Sequence, residues 1–142
     1  LLSPAMQATP VTAPPSARPR VLIVEDSGPV GAMMRLALEG PYEVELRTSI
    51  RAAAERLAQS PAPSLILADM HLPDGTALAL LALARRMPGS LPVVLMSGRP
   101  ESLAQAPGAD ACLPKPVQAG VLRETVGRLL GRAPSKALPM AQ

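Results

Sequence analysis

The chain is poor in aromatic residues and in cysteine, and each scarcity excludes a class of protein. Of 142 residues one is Tyr and none is Phe or Trp, so there is no set of flat rings to stack on single-stranded nucleic acid. One cysteine, Cys112, and one histidine, His71, exclude a disulfide framework and a Cys/His zinc site. No apolar run approaches the ~20 residues that span a bilayer, and no secretory signal is visible. We therefore expect a cytoplasmic domain that itself binds neither nucleic acid nor membrane.

The composition is sufficient for one folded domain. Hydrophobic residues make up 48% and charged residues 18%, which is enough for a core of aliphatic side chains. The net charge of +3 comes without a block of Lys and Arg, as is typical of a solvated surface. Residues 1–19 hold five of the 18 prolines and are interpreted as a linker or a cloning remnant. Residues 133–142 are interpreted as a loose tail, which leaves a domain over residues 20–132.

Short apolar runs alternate with Ala- and Leu-rich segments throughout this domain. Runs that are apolar on both faces, such as residues 21–24 and 65–68, are typical of central parallel strands. The segments between the runs have helical spacing and end at Gly or Pro. The segment between Ser97 and Lys115 is short and broken by proline and glycine, which predicts a short or distorted fourth helix. Five strand–helix pairs in strict alternation predict an α/β fold with a parallel sheet covered on both faces.

Polar residues follow four of the five predicted strands. Glu25 and Asp26 follow the first, Asp69 the third, Ser97 the fourth and Lys115 the fifth. The carboxyl ends of parallel strands meet at one edge of the sheet, where such folds bind ligands. Three acids at one edge repel one another, and a hard divalent cation such as Mg²⁺ relieves the repulsion. A cation, an ammonium and a hydroxyl around one carboxylate suggest that Asp69 accepts a phosphoryl group, although each residue alone would more often be an ordinary cap or loop residue.

Four segments, in this order and spacing, resemble the response-regulator receiver domain, the phosphoacceptor module of two-component signalling. The segments are VLIVED (21–26), LILADMHLPDG (65–75), PVVLMSG (92–98) and DACLPKP (110–116). The resemblance covers about residues 20–131. It implies a flavodoxin-like (βα)5 fold, a doubly wound five-stranded parallel sheet with strand order 2-1-3-4-5.

The resemblance also assigns roles to the residues at the strand ends. It implies that Asp69 is the phosphorylation site, that Ser97 is the hydroxyl that follows phosphorylation and that Lys115 binds the phosphate. It implies Mg²⁺ as cofactor. The implied ligands of this ion are Asp26, Asp69, the backbone carbonyl of His71 and, through water, Glu25.

Three features near the site bear on how the family pattern applies here. Cys112 stands where the family carries an aromatic switch residue, and we expect a small apolar filler there, not a redox sensor. The ring of His71 is expected to be exposed and only to modulate access of water. The Lys115-Pro116 bond is expected to be cis by resemblance. In the family the fourth helix, fifth strand and fifth helix form an output or dimer face, so a short fourth helix predicts an altered face.

The sequence therefore predicts a receiver domain that takes a phosphoryl group from a phosphohistidine onto Asp69, hydrolyses it slowly and shifts between conformations. The expected partner is a histidine kinase or a histidine phosphotransfer protein, and a homodimer is a further expectation. The chain fits the C-terminal receiver of a hybrid sensor histidine kinase or a stand-alone regulator. Two alternatives stay open at this point. One is a pseudo-receiver that binds or dimerises without phosphorylation, and the other is a flavin carrier or phosphohydrolase on a similar sheet.

Overall fold

A computed structural model describes residues 18–104 and 106–131 of the chain. Most of the predicted linker, residue 105 and the whole predicted tail lie outside the described residues. The elements in chain order are β1 (Arg20–Val24), α1 (Gly28–Leu38), β2 (Glu43–Arg47), α2 (Ile50–Leu57), β3 (Leu65–Asp69), β4 (His71–Leu72), β5 (Gly75–Thr76), α3 (Leu78–Arg86), β6 (Val93–Ser97), α4 (Pro100–Leu103), β7 (Ala111–Pro114) and α5 (Ala119–Leu129).

Five of the strands form one parallel sheet in the order β2-β1-β3-β6-β7. The other two, β4 and β5, form a separate antiparallel hairpin. With the hairpin set aside, the order is the predicted 2-1-3-4-5, and the flavodoxin-like fold is confirmed. The hairpin itself was not predicted.

The burial of each strand follows from its residue pattern. Every residue of β3 and β6 is buried, as expected for strands that are apolar on both faces. The edge strand β2 alternates charged and apolar residues and is half-buried along its length. Charged side chains on an edge strand discourage pairing with another chain.

Helices cover both faces of the sheet with an aliphatic core beneath each. On one face α1 and α5 bury Leu38, Leu122 and Val126. On the other, α2 and α3 bury Leu57 and Leu80. Each such side chain contributes roughly 1.5–3 kcal/mol relative to its exposed state. Among residues 18–104 and 106–131, no helix has both the length and the apolar character that crossing a membrane requires.

Two side chains cap the start of α2. Ser49 Oγ accepts a hydrogen bond from the Ala52 N–H at 3.1 Å. The Asp74 carboxylate, in the turn between β4 and β5, accepts from the N–H groups of Ile50 and Arg51, both at 2.9 Å. These two backbone hydrogen bonds lower the pKa of Asp74 below its ordinary value. The hairpin that follows β3 is therefore fastened to the first turn of α2.

Two short elements shape the surroundings of the sheet edge. The helix α4, which follows the fourth strand of the parallel sheet, has four residues. The prediction of a short fourth helix is therefore confirmed. The hairpin turn ends at Gly75, whose φ of +144° is a conformation that favours glycine. The peptide bond between Lys115 and Pro116 is cis, as expected.

Candidate functional site

The sheet topology determines which strand ends meet. In the sheet, β2 lies on one side of β1 and β3 on the other. The connections that leave β1 and β3 therefore run in opposite directions, and a crevice opens at the carboxyl ends of these two strands. Glu25 directly follows β1, Asp69 ends β3 and Ser97 ends β6. Lys115 directly follows β7, and its backbone N–H donates to the Ser97 carbonyl oxygen at 2.8 Å. The four strands therefore carry these side chains to one edge.

Three carboxylates form a compact cluster at this edge. Glu25, Asp26 and Asp69 each offer one oxygen, and these oxygens all lie within 4.8 Å of one another. Glu25 and Asp69 are buried, whereas Asp26 is exposed. The cluster thus combines two carboxylates fixed by the protein interior with one that faces solvent.

The Lys115 ammonium lies between two of these acids. Its Nζ is 3.1 Å from Glu25 Oε1 and 3.2 Å from Asp69 Oδ2. Burial acts to lower the pKa of Lys115, but the hydrogen bonds and charges of Glu25 and Asp69 outweigh it. The pKa of Lys115 consequently lies above its ordinary value, and the side chain is an ammonium at neutral pH.

The remaining lone pairs of the cluster suit a hard cation. Both oxygens of Glu25 have protein partners, because Oε2 accepts from the Ser27 N–H at 3.1 Å and Oε1 accepts from Lys115. Three carboxylates face one ammonium, which leaves an excess of negative charge. Oxygen donors with excess negative charge and one open side match the preference of Mg²⁺. The residues present therefore fit this ion, and the exposed carboxylate of Asp26 is the most accessible of the three.

Two further residues lie near Asp69, Ser97 at the end of β6 and His71 at the start of β4. Ser97 is fully buried, and its Oγ accepts from the Arg99 N–H at 2.9 Å. The His71 N–H points toward Asp69 Oδ1 at 3.4 Å. The His71 ring is in an exposed residue, as expected, but its Nε2 lies 2.9 Å from Ser102 Oγ. The ring therefore has a definite partner in α4, and its effect on access of water stays a prediction.

Cys112 lies in β7, beside Leu95 of β6. Its residue is partly buried, and its Sγ is 4.0 Å from the Ala106 carbonyl oxygen. Burial raises the pKa of the thiol. A raised pKa lowers the thiolate fraction, which agrees with the expectation of a packing residue.

An apolar groove of about 260 Å³ opens next to the acidic cluster, between α1 and the segment after β7. Met33 on its wall is 44% exposed although it is a large apolar side chain. The lining residues are Val30, Met33, Met34, Lys115, Pro116 and Val117.

The fold and the cluster together define an α/β domain with an acidic, lysine-containing site at a topological switch point. Residues 21–127 match the family model of the response regulator receiver domain. The chain belongs to this family, and it is a receiver domain of two-component signalling.

Named relatives support the assignment. The chain is 34% identical over 119 residues to the response regulator protein PilR of Pseudomonas aeruginosa, covering 80% of this chain and 26% of that protein. It is 34% identical over 128 residues to the KDP operon transcriptional regulatory protein KdpE of Escherichia coli, covering 84% and 54%. A solved receiver domain of a signal transduction histidine kinase from Syntrophus aciditrophicus superimposes with a TM-score of 0.71 at 29% identity, covering 85% and 97%. The chain thus spans about half or less of these two curated relatives.

Two contacts near the site were not predicted from the sequence. The Asp74 carboxylate caps α2 across 24 positions of the chain, and Ser102 bonds the His71 ring across 31. An Asp-Gly pair after a strand signals a turn, so Asp74 could have been singled out as a turn residue. Its partner could not, and nothing in the sequence around Ser102 distinguishes it from an ordinary surface serine.

Proposed function

We propose that this domain is a phosphoacceptor in which Asp69 receives a phosphoryl group from the phosphohistidine of a kinase or phosphotransfer protein, with Mg²⁺ as cofactor. The observation that carries the proposal is the position of Lys115 Nζ, 3.2 Å from Asp69 Oδ2 inside the acidic cluster. The ammonium contacts both Asp69 and Glu25, the latter at 3.1 Å, and an ammonium beside a carboxylate favours a dianionic group there. This contact supports Asp69 over Asp26 as the acceptor.

The proposed reaction is a displacement at phosphorus. An Asp69 carboxylate oxygen forms a bond to phosphorus while the phosphorus–nitrogen bond of the phosphohistidine breaks, and the electron pair of that bond stays on the imidazole nitrogen. The products are an aspartyl phosphate and a neutral histidine, whose nitrogen takes up a proton. The Lys115 ammonium neutralises charge on the phosphoryl oxygens during transfer.

The cation would be held by Asp26, Asp69 and the backbone carbonyl of His71, with Glu25 reaching it through water. When bound, Mg²⁺ supplies positive charge that stabilises the phosphoryl oxygens. Burial of Asp69 and Glu25 supports this arrangement, because charges away from bulk water interact more strongly.

The response to phosphorylation is proposed to run through Ser97 and Lys115. Ser97 Oγ accepts one hydrogen bond from Arg99, and its own hydroxyl proton is still available to a phosphoryl oxygen. Phosphorylation replaces the single negative charge of the Asp69 carboxylate with roughly two on the phosphoryl oxygens, and these oxygens compete with Glu25 for the Lys115 ammonium. This change would shift the domain between two pre-existing conformations. Water then hydrolyses the acyl phosphate slowly.

The partner and the setting of the domain belong to the same proposal. A histidine kinase or phosphotransfer protein would approach from the cytoplasm along the groove beside α1, whose apolar wall meets the Lys115 side of the site. The relatives include response regulators and a receiver domain of a histidine kinase. These relatives support either a stand-alone regulator or the C-terminal receiver of a hybrid kinase. A homodimer through the face of α4, β7 and α5 stays a prediction.

The proposal is tested by intact-protein mass spectrometry after incubation with acetyl phosphate. With Mg²⁺ the native chain should gain the mass of one phosphoryl group, and with EDTA it should gain none. Asp69→Asn should gain none under either condition. The control is Asp74→Asn, the same chemical change five positions away, which should still gain the group.

Two outcomes would contradict the proposal. No mass gain by the native chain would favour the pseudo-receiver alternative, in which the domain binds partners without phosphorylation. A persistent gain in Asp69→Asn would mean that another residue is the acceptor.

A further inference from the structure

We propose that Ser102 is a positioning residue for the cation site, acting through the imidazole of His71. The inference rests on the proposed function, because it assumes that the His71 carbonyl is a ligand of Mg²⁺. It adds a residue of α4 that no motif marks. The contact that carries it is the 2.9 Å separation between His71 Nε2 and Ser102 Oγ.

The Ser102 hydroxyl is held firmly by its surroundings. The residue is 5% exposed and lies inside the four-residue helix α4. The next residue, Leu103, packs against the core cluster beneath α2 and α3. A buried hydroxyl needs a hydrogen-bond partner, and the His71 ring supplies one. Ser102 therefore offers a fixed point to a ring that is otherwise exposed.

The position of the His71 ring affects the backbone that would meet the cation. The carbonyl proposed as ligand belongs to the same residue, and its N–H points toward Asp69 Oδ1. The hairpin that begins at His71 is fastened to α2 by Asp74, in its turn. The loop after Asp69 is thus anchored at both ends, by Asp74 to α2 and by His71 to α4. Ligands oriented by a second layer of hydrogen bonds bind metals more tightly.

The same serine also reaches the loop on the other side of the site. The Ser102 N–H donates to the Arg99 carbonyl oxygen at 2.9 Å. The Arg99 N–H in turn donates to Ser97 Oγ at 2.9 Å. A chain of hydrogen bonds therefore runs from Asp69 through His71, Ser102 and Arg99 to Ser97. Ser102 thus joins the segment after β3 to the segment after β6.

The hydrogen bond between His71 and Ser102 does not involve the position at which the family carries an aromatic switch residue. That position is Cys112, whose thiol contacts the Ala106 carbonyl and not the acidic cluster. In this chain the connection from the Asp69 loop to α4 is therefore made by His71 and Ser102.

The test is a titration of the ¹⁵N-labelled chain with Mg²⁺, followed by NMR through the amide signals of the loop residues. Ser102→Ala should weaken Mg²⁺ affinity by roughly 10-fold, at the low end of the range for residues that orient a ligand. Ser102→Thr, which keeps the hydroxyl, should retain most of the affinity. The matched control is Ser64→Ala, since Ser64 Oγ accepts from the Arg20 N–H at the opposite end of the sheet. This control should leave Mg²⁺ affinity unchanged.

A double-mutant cycle keeps the test independent of any general loss of folding. His71 is exposed, so His71→Ala should fold, and it should lower Mg²⁺ affinity about as much as Ser102→Ala. The two changes together should cost no more than either alone, because they remove the same contact. The imidazole ¹⁵N signals of His71 should also shift in Ser102→Ala and not in Ser64→Ala.

The outcomes separate the two proposals. If the native chain binds Mg²⁺ and Ser102→Ala binds it within two-fold, or if the two losses add, the role of Ser102 is refuted while the phosphoacceptor proposal stands. If the native chain binds no Mg²⁺ at the loop after Asp69, the proposed function fails and the role of Ser102 fails with it.

Discussion

The two ends of the sheet both gather charged side chains from neighbouring strands, but they balance charge differently. Toward the amino end, Arg20 pairs with Glu43 at 2.6 Å and with Glu45 at 3.1 Å. Arg56 from α2 also pairs with Glu45. At the carboxyl end, three carboxylates share one ammonium, that of Lys115.

The difference separates a structural cluster from a binding site. Three arginines face two glutamates at the amino end, because Arg18 Nη2 also lies 3.4 Å from Glu43 Oε2. Both carboxylates are therefore neutralised, and no excess of negative charge is left to attract a cation. The carboxyl end keeps an excess of negative charge that folding alone does not neutralise. Such an arrangement costs stability, and natural proteins retain it where function needs it. The balance of charge, more than the number of charges, indicates which end of this sheet is functional.

The largest expected effect is at the amino end. Arg56 is 6% exposed and donates to Glu45 and to the carbonyl oxygens of Gln59 and Pro61. Arg56→Leu should lower the free energy of unfolding by about 3 kcal/mol, because it leaves the two carbonyl oxygens without this donor and Glu45 with Arg20 as its remaining partner. Urea denaturation measures the loss.

The control for this change lies in the same helix. Arg51 pairs with Glu55 four residues later, but its side chain is 85% exposed. Arg51→Leu should change stability by no more than about 0.5 kcal/mol. Equal losses in the two variants would contradict a structural role for the cluster at the amino end.

The next effect is the response of the carboxyl end to the cation. Mg²⁺ at 100 times its dissociation constant should raise the free energy of unfolding of the native chain by about 2.7 kcal/mol. Urea denaturation with MgCl₂, compared with NaCl at equal ionic strength, measures the gain. A gain of the same size in NaCl would indicate general screening of surface charge. It would contradict the claim that the carboxyl end, unlike the amino end, binds a divalent cation.

A smaller effect should follow from removing one of the excess charges. Asp26→Asn without divalent cations should stabilise the chain by about 1 kcal/mol, because the amide no longer repels Glu25 and Asp69. The same variant should lose most of the gain from Mg²⁺. Glu124→Gln, at an exposed position of α5, serves as control and should be neutral. A destabilised Asp26→Asn would show that the cluster is not under repulsion.

The smallest effect concerns the acid that caps α2. The pKa of Asp74 is lowered by the backbone hydrogen bonds of Ile50 and Arg51, so its contribution to stability is complete above its ordinary value of 3.8. The contribution is lost as pH falls from that value through the lowered pKa. Asp74→Asn should therefore be less stable than the native chain at neutral pH, with a difference that shrinks in acid. Urea denaturation between neutral pH and acid measures the difference, and one that does not depend on pH would contradict the account.

The fold and the acidic cluster could be predicted because both depend on local patterns combined with a rule of topology. The apolar runs ending at Glu25 and Asp69 predict central strands, and parallel strands bring their carboxyl ends together. The contacts of Arg56 and Ser102 could not be predicted. They depend on where α2 and α4 settle against segments distant in the chain, and neither residue stands out by type or spacing. The hairpin escaped notice because two-residue strands are too short to show a period.

The central claim is that the excess negative charge at the carboxyl end of the sheet serves a site where Asp69 accepts a phosphoryl group. The most direct measurement treats the native chain with acetyl phosphate and Mg²⁺, reduces the acyl phosphate with borohydride and maps the product by tandem mass spectrometry. Borohydride converts a phosphorylated aspartate to homoserine, so we predict homoserine at position 69 and nowhere else. Homoserine at position 26, or none at any aspartate, would contradict the claim.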